Sequence, residues 1–240
     1  MSGGLEKTLD TFGKPLKYIL NTHWHGDHTQ GNKLLGKEPT VVAHDNVYQR
    51  LNSRQEVKLF NMVSEPYPKH ALPDITYDHR MTIHFNGHDI SVMHLPIGHT
   101  DGDSVIFFKE QNIVHLGDHF FNGFYPFVDV DAGGRVRGVA QNIDRILDSI
   151  DDSTQIVPGH GPMATKPDLI AFRDMLRGTA KEVESMMNDK SLEEIQSAGL
   201  SAKWDEWENG FLNEPTWIKI VFNSLHASQH DKPNKHKHKH

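Results

Sequence analysis

Leu16-Lys-Tyr-Ile-Leu-Asn-Thr-His-Trp-His-Gly-Asp-His28 is the stretch on which the reading of this chain turns. Leu16–Leu20 is a short apolar run with the length of a buried strand. Directly after it, His23, His25, Asp27 and His28 place four cation-binding side chains within six residues. No single helix face accommodates that spacing, because residues two apart on a helix point to nearly opposite sides. At a strand end, however, His23 and His25 share a side, and Gly26 permits a turn that brings Asp27 and His28 back.

Moving outward, three later segments repeat the layout. Pro96-Ile-Gly-His-Thr100 follows the alternating run Asp89–Leu95, Gly117-Asp-His119 follows Asn112–Leu116, and Pro158-Gly-His-Gly-Pro162 follows Gln155–Val157. In each, a histidine or aspartate beside glycine stands just past a strand, where α/β sheets assemble their sites. Ser104–Phe108 is a further strand, and Asn86-Gly87 predicts a hairpin turn between Tyr77–Phe85 and Asp89–Leu95. Helices fill the gaps: Leu5–Phe12, then a face formed by Val139, Ile143, Ile146, Leu147 and Ile150. Leu169, Phe172, Met175, Leu176, Ala180 and Val183 form a second face, Ser191-Leu-Glu-Glu194 is a capping box, and Asn213 with Pro215 opens a last helix. Without an internal repeat or a flexible linker, residues 1–228 read as one α/β domain.

Composition narrows the function. The 240 residues can bury a substantial core, and a 24% charged, 36% hydrophobic make-up excludes collagen-like and disordered classes. No apolar run is long enough to span a bilayer, so a soluble protein without a signal peptide is expected, its compartment left open. The absence of cysteine removes thiolate metal sites and cysteine nucleophiles. The closing His-Lys run reads as an affinity tag on a disordered tail, residues 229–240. Without its three lysines, 22 basic residues face 32 acidic ones, a balance of −10 that disfavours nucleic acid as a partner. A small-molecule substrate is expected, with neither a nucleic-acid nor a membrane partner.

The motif series His-x-His-x-Asp-His over 23–28, Gly98-His99-Thr100, Gly117-Asp118 and Pro158-Gly159-His160-Gly161 resembles the metallo-β-lactamase superfamily. The resemblance runs from about Leu5 to Leu225. It implies an αββα sandwich with two metal ions at one edge of its sheets. Carried over residue by residue, His23, His25 and His99 would hold one ion, Asp27, His28 and His160 the other, and Asp118 would bridge them. Five imidazoles and two carboxylates suit Zn²⁺, with iron or manganese as alternatives. The implied reaction is hydrolysis by a metal-bridging hydroxide, with Asp27 as the catalytic residue that orients it and shuttles its proton.

Substrate is read from what differs. Thiolate-containing β-lactamases of this superfamily carry cysteine at the Asp118 position and lysine at the Phe121 position; this chain has neither. The aspartate resembles the glyoxalase-II, lactonase and esterase branches, so an ester, lactone, thioester or amide is expected. A β-lactam is one alternative; a mononuclear iron sulfur dioxygenase and an inactive metal-binding fragment are others. Trp24, Phe121, Asn122 and Phe124 are the candidate substrate contacts, though the apolar run 120–127 reads equally well as core. His84, His88, His94 and His115 read as surface or hydrogen-bonded groups, His44 and His70 carry no case for a role, and His119 should point away from Asp118. Only 22 residues precede His23, so the fold is expected to lack the family's opening N-terminal strands and to self-associate at that edge.

Overall fold

A computed structural model describes residues 2–230, and the closing His-Lys run lies outside them. The chain forms two compact units. Among the described residues, one comprises those up to Pro96 together with Gly102–Gly117; the other comprises Ile97–Asp101 and those from Asp118 to His230.

The first unit contains α1 (Ser2–Phe12), β1 (Tyr18–Leu20), α2 (Gly26–Thr29), α3 (Gly31–Leu35), β2 (Thr40–His44) and α4 (Asp45–Leu51). It continues with β3 (Gln55–Val57), β4 (Met62–Ser64), β5 (Ile75–Tyr77), β6 (Arg80–Phe85), β7 (His88–His94), β8 (Ser104–Phe108) and β9 (Ile113–His115). Strands β1, β2 and β5 pair in parallel, with Ile19 opposite Val41 and Val42 opposite Ile75. Strands β6 to β9 pair antiparallel, each to the next, with Ile83 opposite Ile90 and Val92 opposite Ile106.

Strands β3 and β4 form a separate antiparallel pair, and the parallel and antiparallel sheets close on one another through Val42, Tyr77, Ile83, Val92 and Ile106. Burying each aliphatic side chain contributes about 1.5–3 kcal/mol relative to leaving it in water. Tyr77 carries a polar tip into this layer and donates its hydroxyl proton to Ser104 Oγ at 2.7 Å. Burial pushes its phenol up to about 12, the hydrogen bond acting in the opposite sense. It remains a neutral donor across the sheet–sheet seam.

Positive φ at Asn86 (54°) and Gly87 (78°) forms the expected tight turn between β6 and β7. The hairpin's first strand begins at Arg80, however, not at Tyr77. Tyr77 pairs with His44 in the parallel sheet, so the run splits at Asp78-His79. Strand β2 is absent from the sequence reading, although its β-branched Thr40-Val-Val run after Pro39 carries the usual signal. It is the middle strand of the parallel sheet, and Val41, Val42 and Ala43 are fully buried.

The second unit holds two long loops, α5 (Val136–Leu147), β10 (Gln155–Val157), α6 (Lys166–Met186), α7 (Leu192–Ala198), a 3-10 helix at Ala202–Glu208 and α8 (Glu214–His230). Val139, Ile143, Ile146 and Leu147 are buried along α5 as their spacing predicts, but the helix stops at Leu147 and Ile150 lies beyond it. Thr165 with Asp168 and Ser191 with Glu194 complete capping boxes that start α6 and α7. Helix α8 reaches His230, two residues past residue 228, the expected end of the domain. Phe172 of α6 meets Phe120 at 5.1 Å and Trp207 at 6.0 Å, while Tyr125 stacks on Trp217 at 5.5 Å.

Candidate metal centre

In the first unit, Asn21–His25 leaves β1 as an extended turn and His25 hands over to the short helix α2. Backbone bonds pin its start: Asn21 N donates to Val42 O, and Ser104 N donates to Thr22 O at 2.8 Å. Thr29 pins its end, with its hydroxyl 3.0 Å from His25 O, 3.2 Å from Trp24 O and 2.9 Å from Tyr67 Oη. Burial raises the Tyr67 phenol above its ordinary value despite the Thr29 hydrogen bond, and the Asp27 carboxylate pushes the same way. Asn32, 1% exposed, reaches back to Asn21 Oδ1 at 2.7 Å. These bonds hold the loop from both sides.

Within the loop, His23 is 1% exposed and its Nδ1 is hydrogen-bonded to Thr22 Oγ1 at 3.1 Å. That bond engages one ring nitrogen and orients Nε2, the arrangement typical of a histidine that ligates through its second nitrogen. The His23 ring lies 5.0 Å from His25 and 4.2 Å from His28, centroid to centroid. Asp27 is largely exposed, with Oδ2 3.2 Å from His28 Nε2. Trp24 is buried, its ring beside His25 and under the Arg50 guanidinium. Gly117 closes against this loop at φ 51°, where a Cβ would lie 2.7 Å from Thr22 Cβ. Only glycine meets both demands.

The second unit carries the other three expected ligands. His99 is fully buried, and its Nδ1 donates to Phe127 O at 2.7 Å. A carbonyl can only accept, so the proton sits on Nδ1 and the Nε2 lone pair points onward. What it meets is Asp118 Oδ2, at 3.4 Å. From another loop, His160 Nε2 approaches the same oxygen at 3.5 Å. Ile97, two residues before His99, adopts φ 56°, a strained value for a β-branched side chain, stored beside a candidate ligand.

His119 is turned away from its neighbour Asp118. Its ring is fully buried, and Nε2 accepts a proton from Asn142 Nδ2 of α5 at 3.0 Å. Phe121 is buried against the His160 ring, stacked at 4.8 Å and 23°, and Asn122 N donates to His160 O. Phe124 packs edge-on to Phe121 at 5.8 Å. Phe211, which the sequence reading does not single out, joins these rings from the loop after the 3-10 helix, 6.3 Å from His160. Trp204, Trp207 and Phe211 stand at i, i+3 and i+7, a helix-like spacing that gives no hint of a partner as distant in sequence as His160.

Among the described residues no helix is long and apolar enough to cross a membrane. Residues 4–160 match the metallo-beta-lactamase superfamily. The chain is 27% identical over 161 residues to the lactamase-like protein nscB of Trichophyton rubrum, covering 65% of this chain and 40% of that protein. It is 27% identical over 115 residues to the atrochrysone carboxyl ACP thioesterase of Claviceps purpurea, covering 48% of this chain and 31% of that one. The chain thus spans well under half the length of both relatives. Among solved structures, TTHA1623 in a di-iron-bound form superposes with a TM-score of 0.54 at 25% identity, over 69% of this chain and 80% of that one. The mixed α/β architecture, the histidine and aspartate groups held at loop ends and the match over residues 4–160 agree: this chain belongs to the metallo-β-lactamase superfamily.

Proposed function

We propose that the chain is a metal-dependent hydrolase of ester or thioester carbonyls. His23, His25 and His99 would hold one ion, Asp27, His28 and His160 a second, and Asp118 would be shared between them. The observation that carries this reading is the placement of Asp118 Oδ2, 3.4 Å from His99 Nε2 and 3.5 Å from His160 Nε2. Two imidazoles from separate loops aimed at one buried carboxylate oxygen form a ligand arrangement that a divalent ion completes. The donor set fits such an ion: nitrogen and carboxylate oxygen without thiolate suit zinc, and iron equally.

Bound there, such ions supply Lewis acidity toward a carbonyl and lower the pKa of water. The protein's own part is orientation and proton handling. Phe127 O and Thr22 Oγ1 set the ring orientations of His99 and His23. Asp27, largely exposed and with Oδ2 3.2 Å from His28 Nε2, is the carboxylate with room to accept a proton from water and pass it to the leaving group. The thioesterase relative supports thioesters within the proposed substrate class.

Metal analysis of protein lacking the closing His-Lys run, paired with a chromogenic panel of thioester, lactone and β-lactam substrates, tests the reading. About two equivalents of zinc or iron and chelator-sensitive thioester or ester turnover are expected. Metal-replete protein that hydrolyses only β-lactams, or that consumes oxygen without hydrolysing anything, would overturn it.

A further inference from the structure

Phe211 is 55% exposed, an unusual place for a large aromatic side chain that nonetheless has aromatic neighbours. Its ring lies 6.1 Å from Phe121, 6.2 Å from Phe124 and 6.3 Å from His160. These are distances at which rings interact specifically rather than by area alone. The cluster is deliberately close at its base: a Cβ on Gly210 would fall 2.5 Å from Phe124 Cδ2, so glycine lets the loop settle onto that ring. Inward, Phe121 stacks on His160. The result is a graded surface within the second unit, from a candidate metal ligand through the buried Phe121 and the half-buried Phe124 to the exposed Phe211.

We propose that Phe211 is a specificity-determining residue, and that this surface takes an aromatic acyl group whose carbonyl is the one attacked. The inference rests on the hydrolase reading and adds its substrate class. Ring faces and edges are what the surface offers, and they reward a planar π-system by edge-to-face or offset contact beyond what an alkyl chain of equal area gains.

The test compares phenylacetyl and acetyl thioesters of one leaving group across the parent, Phe211→Ala and Phe211→Leu, with Val63→Ala as a control removing an exposed apolar side chain elsewhere. The phenylacetyl-to-acetyl ratio of kcat/KM is expected to fall about three- to tenfold in both Phe211 variants and to hold in the control. Leucine keeps the volume but not the ring, so retention of the ratio in Phe211→Leu would reduce the surface to a generic apolar one and overturn the proposal. A second measurement does not need turnover: saturation transfer from chelator-treated protein to phenylacetamide, which should be lost in Phe211→Ala. Equal transfer in the parent and Phe211→Ala would also overturn it. Absence of any hydrolysis by the metal-loaded parent would instead sink the hydrolase reading, while the phenylacetamide result would still decide whether Phe211 binds aromatic groups.

Discussion

Asp118 and His119 are adjacent, both buried, and their side chains face different surroundings, so separate alanine replacements divide ligation from packing. Asp118 Oδ2 sits 3.4 Å and 3.5 Å from two imidazole nitrogens, and under the proposed arrangement its loss takes a ligand from each ion. Removing a group that merely supports a ligand costs about 10–100-fold in metal affinity. Losing the shared ligand itself should therefore exceed about 100-fold, roughly 2.7 kcal/mol. His119→Ala removes the acceptor of Asn142 Nδ2 and opens a void under α5. The lost hydrogen-bond partner costs about 1–3 kcal/mol and the void adds to it, for about 2–4 kcal/mol in all. At about 2–4 °C per kcal/mol for a chain of this size, the melt should fall by about 4–16 °C. Chelator-competition titration with zinc, together with thermal melts of the chelated proteins, reads both effects. Asp118→Ala should lose affinity with a chelated-state melt near the parent's; His119→Ala should melt low while keeping affinity within about tenfold. Equal affinity losses, or parental zinc binding by Asp118→Ala, would refute the assignment of roles within this pair.

Three further outcomes are expected. Chelation should lower the melting temperature of the parent, because an ion present at about 100 times its Kd adds about 2.7 kcal/mol to the folded state; an unchanged melt would mean that no such ion stabilises the fold. Gly117→Ala should destabilise by about 1–3 kcal/mol and weaken metal binding, since the new Cβ meets Thr22 in a positive-φ turn that positions the His23 loop; calorimetry and the same zinc titration check it. Glu182 is partly buried, which alone would raise its pKa, but hydrogen bonds from Ser201, Trp204 and Lys203 win and hold it down at about 2, against an ordinary 4.5. A depressed carboxylate contributes stability that is full above pH 4.5 and is lost as pH falls toward 2. Glu182→Gln should thus flatten the stability decline between those values, by about 1 kcal/mol in urea titrations once solvent screening at this largely surface site is counted.

Much of this protein is legible in its sequence because the deciding signals are local. A helix declares itself through the 3.6-residue spacing of Val139, Ile143 and Ile146, and its start through a capping pair three residues apart such as Ser191 and Glu194. The candidate ligands are legible for a similar reason, since a strand end followed by glycine and histidine is a short-range pattern, repeated after β1, β7, β9 and β10. Where neighbours in sequence give no guide, only tertiary structure decides. Tyr77 reads as the first residue of a hairpin strand until its parallel pairing with His44, 33 residues away, claims it for the other sheet. Phe211 has no local reason to matter and gains one by landing on Phe124, 87 positions earlier. Phe127 O fixes which nitrogen of His99 carries the proton, and Asn142 supplies the hydrogen bond that points His119 away from Asp118. Sequence sets the chemical types and their spacing along the chain; the direction of each ring depends on hydrogen-bond partners that only long-range packing brings within 3 Å.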